Sequence, residues 1–338
     1  MNETMDLSIM QLFRRTFPFV MTRILTYVVF ALVAFLFLGI MIGVGFLLIK
    51  MFGENSFFFI IVMIISFGAV YGGLKFLERY FLYMVKTGHI AVIVELMQNG
   101  KIPEGKGMIA YGKDKVTENF GASNVAFAVD KLVYASVKQI QRWIFRIGNV
   151  FSFIPGSKNI IGIINAIMSV SLNYIDEAIM SYIFLQKGKE NKQSVWKSAS
   201  DGVVLYAQSW KGILKTGAGA VLFIYAFNIG VFLLLVFPLM FVGKLIAGDT
   251  QGLGTFTGFL AVVGAYVITT VIKRALIDPL VTIAMIRQYQ ISIRSLEPAI
   301  DLQDKLLGVS SRFRQLHNKS KSHAATETKE PPQGVLHN

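Results

Sequence analysis

With 338 residues, 54% of them hydrophobic and only 16% charged, and a mean hydropathy of +0.57, this chain is too apolar for a soluble protein and falls among helical membrane proteins. Its formal net charge is +13, but the basic residues flank apolar runs instead of lining a soluble face, which removes the nucleic-acid reading. The absence of cysteine excludes disulfides, thiolate metal sites and Cys nucleophiles.

Four runs carry no charge: residues 24–49, 55–74, 216–243 and 252–272. A helix needs about 20 apolar residues to cross a hydrocarbon layer about 30 Å thick, so each run predicts a transmembrane helix. A cleavable leader is not expected, because the first run starts late and is too long for a leader's apolar part. All but two of the 33 Lys and Arg lie outside the short connectors; the exceptions are Lys50 and Lys244. The tendency of basic loops to stay inside then orients the chain. It predicts a multi-pass protein of the cell membrane with cytoplasmic N- and C-termini, a cytoplasmic middle region and two short outer connectors.

Residues 159–185 resemble a fifth span, but a single crossing there would strand the Lys residues of 187–215 outside. A re-entrant or interface-lying helical hairpin near 143–185, turning at Pro155-Gly156-Ser157-Lys158, keeps both flanks inside. The predicted fold class is therefore all-α: a polytopic helical membrane protein with four transmembrane helices in two hairpins plus that re-entrant or interfacial hairpin. The chain divides into a basic segment and first hairpin (1–74), a cytoplasmic or interfacial helical region (75–215), the second hairpin (216–272), amphipathic cytoplasmic helices (273–317) and a tail (318–338). Within the middle region, 88–96 reads as a short apolar helix. Gly100, Pro103, Gly105 and Gly107 signal a loop, and 125–147 resumes helical spacing. Trp143, Trp196 and Trp210 stand in basic juxtamembrane stretches and are expected at headgroup level. From Asn318 the composition lacks the apolar residues to fold and predicts disorder. The two hairpins share a plan of basic approach, two spans and charged exit, as in a parallel repeat about the membrane normal.

The strongest polar constellation is Asn165, Ser169, Asn173 and Asp176, spaced four, four and three apart on one face of an apolar helix, with Glu177 adjoining. Carboxylates at membrane depth are costly and mark a solute path or a paired contact, which makes these five transport-path candidates. If the helix lies at the interface, the stripe simply faces water. Arg274 and Asp278, at i and i+4, can pair on one helix face, and Asp278 before Pro279 suits a helix that breaks and restarts at the membrane edge. Gly39/Gly43, Gly68/Gly72 and Gly254/Gly258 provide small-residue faces for close helix approach. Catalytic and phosphate-binding signatures are missing, so neither an enzyme, a cofactor nor a metal site is expected. His89 reads as a helix-terminus residue.

Residues 172–295 resemble the C-terminal part of choline transporter-like membrane proteins. The likeness lies in Asn173-Tyr174-Ile175, then Ala178-Ile179 and Tyr182, a polar segment entering two spans, and an amphipathic helix after the last. It implies an organic-cation transporter. This chain departs in having fewer spans, no Cys-rich outer domain and the Asp176-Glu177 pair. The leading functional expectation is a small-solute or ion transporter or channel. The alternative is a non-catalytic scaffold or accessory protein holding the cytoplasmic leaflet or a partner protein. Expected partners are the lipid bilayer, chiefly its anionic cytoplasmic leaflet, and a small-molecule solute. Oligomerisation is left open.

Overall fold

A computed structural model describes residues 7–52, 57–120, 123–147, 157–188, 193–248 and 251–327, and every regular element in them is a helix. The order is α1 (Ile9–Arg15), α2 (Phe17–Phe52), α3 (Phe57–Asn99), α4 (Met108–Phe120), α5 (Ser123–Ile147), α6 (Ser157–Lys187), α7 (Val195–Ala247) and α8 (Gln251–Ile272). A π-helical turn, Lys273–Ile277, leads into α9 (Asp278–Ile293), followed by α10 (Ile300–Val309) and α11 (Ser311–Glu327).

Three helices are long and apolar enough to cross a membrane, or four if the bent pair α1 and α2 forms one span. They lie in Lys75–Asn99 of α3, Val195–Ala247 and Thr257–Ile293, with Ile9–Arg15 and Phe17–Val33 meeting at 61°. Length is what distinguishes them. At 1.5 Å per residue the 53-residue α7 is about 80 Å long, far more than a bilayer core. A crossing would use only part of it, and burial divides the helix in two. Residues 198–207 of α7 are buried almost without interruption, whereas Leu222, Leu234, Phe237 and Phe241 stand exposed. Leu12 of α1 and Phe19 and Val20 of α2 are buried before the charge-free run begins, and Leu25, Leu32 and Leu36 are exposed within it.

The apolar core therefore lies toward one end of the exposed apolar stretches, not among them. It is built from the ends of α2, α3, α7 and α9 together with α4, α5, α6 and α11. Ile90, Ile93, Ile175, Ile179, Val203, Ile286, Tyr289 and Phe313 are its centre.

Several expectations change in this light. The apolar stretch 88–96 is the buried end of α3, not a separate helix. The loop signals at 100–107 hold, with Gly100 and Gly105 at φ +71° and +84°, where only glycine sits without strain. The region from Asn318 is not without structure, since α11 continues to Glu327. Phe313, Leu316 and His317 bury one face of it, and Lys319 and His323 reach the Trp196 ring at 4.5 Å and 5.8 Å. Trp196 is accordingly 6% exposed and belongs to the core, not to the headgroup level. The anticipated break at Asp278 is absent too. The chain stays helical from Ile272 into α9, and the wider π turn takes up the proline.

Glycine is needed at contacts other than the repeated small-residue pairs. A Cβ on Gly112 would stand 2.7 Å from the Gly88 carbonyl oxygen, so α3 and α4 touch backbone to backbone. On Gly217 it would overlap the Ser171 hydroxyl where α6 meets α7. Gly68, Gly72 and Gly258 have nothing within 4 Å among the described residues. Gly39 and Gly43 lie outside the residues whose side-chain surroundings are described.

Candidate functional site

A cluster of charged groups is set against the apolar core. α6 contributes Tyr174, Asp176 and Glu177, the last two 6% and 5% exposed. An unpaired carboxylate buried to that degree would be very costly. The compensating cation is Lys86 of α3, whose Nζ is 2.7 Å from Glu177 Oε1 and 4.0 Å from Asp176 Oδ2. The second Glu177 oxygen accepts a short hydrogen bond from the Thr282 hydroxyl of α9. Asp176 Oδ1 accepts the Glu177 backbone N–H at 2.9 Å. Asp130 of α5 sits against Asp176, so two carboxyls share the far side of Lys86. Burial pushes both up, Asp176 to about 7, and the Lys86 ammonium pulls each partly back.

A second ion pair lies across the cluster. Lys273 Nζ is 2.8 Å from Asp278 Oδ1, which also accepts the Tyr174 hydroxyl at 2.6 Å. This is not the expected Arg274–Asp278 pair, and the π turn explains the change. The Asp278 N–H bonds to the Lys273 carbonyl, five residues back, so positions i and i+5 stack on one face. Arg274 is exposed and lines the chamber beside this pair.

Between these pairs lies a chamber of about 440 Å³. α2 contributes Arg23 and Tyr27 to its wall, α3 Leu82, Tyr83 and Lys86, α6 Tyr174 and Glu177, and the π turn with the start of α9 Lys273, Arg274 and Asp278. Four cationic side chains thus face two carboxylates, both already paired. Arg23 is 7% exposed, and its Nε and Nη2 atoms are buried without a hydrogen-bond partner. Just behind it, His89 is stacked on Phe19 at 5.0 Å, fully buried in mid-helix and so not at a helix end.

Of the expected stripe, Asp176 and Glu177 are in the cluster. Ser169 is exposed, so it does not share their surroundings. The side chains of Asn165 and Asn173 lie outside the described residues, as do the proposed turn at Pro155 and Gly156 and the connector around Glu54. The members that sequence spacing missed are Arg23, Lys86, Lys273, Tyr174 and Thr282, brought together from four helices. Among the described residues no group of three His, Asp or Glu side chains could hold a metal ion.

The fold and this cluster define an all-helical protein with helices able to cross a membrane and a charged chamber where they meet the core. No family model, no curated protein and no solved structure matches the chain.

Proposed function

We propose that the protein is a multi-pass protein of the cell membrane whose termini and helical core are cytoplasmic, and that it is a transporter or channel for a small solute or ion. The chamber would be its cytoplasmic binding site. The observation that carries this reading is that a cavity of about 440 Å³ reaches Glu177 at the end of the apolar helices, with ionised groups around it. A scaffold would favour a dry bundle closed by small residues, whereas the chamber is polar and open to Glu177. The organic cation implied by the choline transporter-like resemblance fits less well. Basic groups outnumber acidic ones in the wall, and both wall carboxylates are engaged.

Uptake of small anions and cations into proteoliposomes tests the reading. Saturable flux above protein-free vesicles, lost in Lys86→Met, is expected. Folded protein that moves none of them would favour the scaffold. The orientation is tested by single-Cys labelling in this naturally Cys-free chain. Cysteines placed at residues 50 and 244 should react only from outside.

A further inference from the structure

Two nitrogens of the wall residue Arg23 have no hydrogen-bond partner. Its guanidinium is almost entirely buried, which is costly for an ion without hydrogen bonds. A guanidinium fork matches the spacing of two oxygens on one phosphorus or carbon. The nearby carboxylates cannot supply those oxygens. Glu177 is held by Lys86 and Thr282, and Asp278 by Lys273 and Tyr174. Counting Arg274, the wall carries two more positive than negative groups.

We infer that the chamber binds a phosphate-type oxyanion, with the guanidinium of Arg23, together with Lys86 and Arg274, supplying the balancing charge. Arg23 immediately precedes the charge-free run 24–49, which sets the site at the edge of the apolar layer. Tyr27 and Leu82 give the wall an apolar part beside the cations. A free phosphate and the phosphate of an anionic lipid present the same chemistry there. The inference rests on reading the chamber as a ligand site, but not on transport.

The test is binding to the purified full-length protein in phosphate-free detergent, read by isothermal calorimetry and by thermal unfolding. The probes are inorganic phosphate and dihexanoyl phosphatidate. Dihexanoyl phosphatidylcholine and potassium chloride of matched ionic strength are the controls. Saturable binding of phosphate or phosphatidate, with no response to the controls, is expected. Binding of phosphate alone identifies a soluble anion, and binding of phosphatidate alone identifies a headgroup. Arg23→Gln should weaken binding at least tenfold while leaving the unliganded protein no less stable, because it removes a buried charge two of whose nitrogens lack a hydrogen-bond partner. Arg23→Lys should fail to restore binding, because it keeps the charge without the fork. Should Arg23→Gln not fold, the exposed Arg274→Gln provides the same reading with a several-fold loss. No saturable binding by the wild type, or wild-type binding by Arg23→Gln, overturns the inference. Binding without flux in proteoliposomes would leave it standing and remove only the transporter reading.

Discussion

Replacing Lys86 by Met removes the cation that Glu177 and Asp176 share and leaves both carboxylates in place, with side chains only 6% and 8% exposed. Breaking one side of a buried pair costs about 3–5 kcal/mol. Lys86 is itself 25% exposed to the chamber, so solvent screening points to the lower end, about 3 kcal/mol. Protonation sets a ceiling. A carboxylate of ordinary acidity can be neutralised at pH 7.5 for about 1.4 kcal/mol per unit over about three units, or about 4 kcal/mol. The penalty should therefore shrink at pH 5. Removing both charges with Lys86→Met and Glu177→Gln should recover most of the loss, since a neutral pair avoids desolvating either ion. The assay is unfolding in mixed detergent micelles followed by the three tryptophans, for wild type, both single variants and the double variant. A loss below about 1 kcal/mol for Lys86→Met, as for an exposed pair, would refute the argument. So would a double variant as unstable as the sum of its parts.

The same unfolding measurement checks three further expectations. Gly112→Ala should cost about 1–3 kcal/mol, because its Cβ would press on the Gly88 carbonyl and the Phe19 ring. Gly68→Ala and Gly72→Ala, with open space around them, should cost nothing; equal losses at all three would contradict the backbone contact. Phe313→Ala should cost about 3–5 kcal/mol, since that ring is fully buried, and a loss under about 1 kcal/mol would mean that α11 does not close the core. With its acidity shifted to about 7, Asp176 keeps a proton in the folded chain that the unfolded chain has released. Stability should thus fall as pH rises from about 4 to 7. Asp176→Asn should flatten that slope, and an unchanged slope would exclude Asp176 as its source.

The apolar helices could be read from the sequence because absence of charge over about 20 residues is a local property with a direct physical cause. Asp176 and Glu177 stood out for a similar reason, as carboxylates in an apolar run. Their partner did not. Lys86 lies about 90 residues away, among basic residues whose number already had an explanation in membrane orientation, and no spacing rule links it to α6. Arg23 was hidden in the same way. The Arg274–Asp278 expectation assumed 3.6 residues per turn, and the π turn, which has no clear signature in Lys273-Arg274-Ala275-Leu276-Ile277, moved the pairing to Lys273. The part of α11 beyond residue 317 was missed because its composition is polar. Only Phe313, Leu316 and His317 turn inward in the helix's first half, and their burial depends on α5 and α7.

Because the core is assembled from segments that adjoin the apolar helices, its completion is tied to the order of synthesis. Ile90 and Ile93 are made early, whereas Tyr289, whose hydroxyl bonds to the Gly202 carbonyl at 2.8 Å, comes about 200 residues later, and Phe313 later still. At roughly 5–20 residues per second, that gap is about 10–40 s. Through that interval the inner faces of α5, α6 and α7 have no covering helix, while α2 and α3 can already be lodged in the bilayer. A ribosome halted before Tyr289 would leave an inserted but unfinished protein, anchored by its apolar helices and adhesive on its water side.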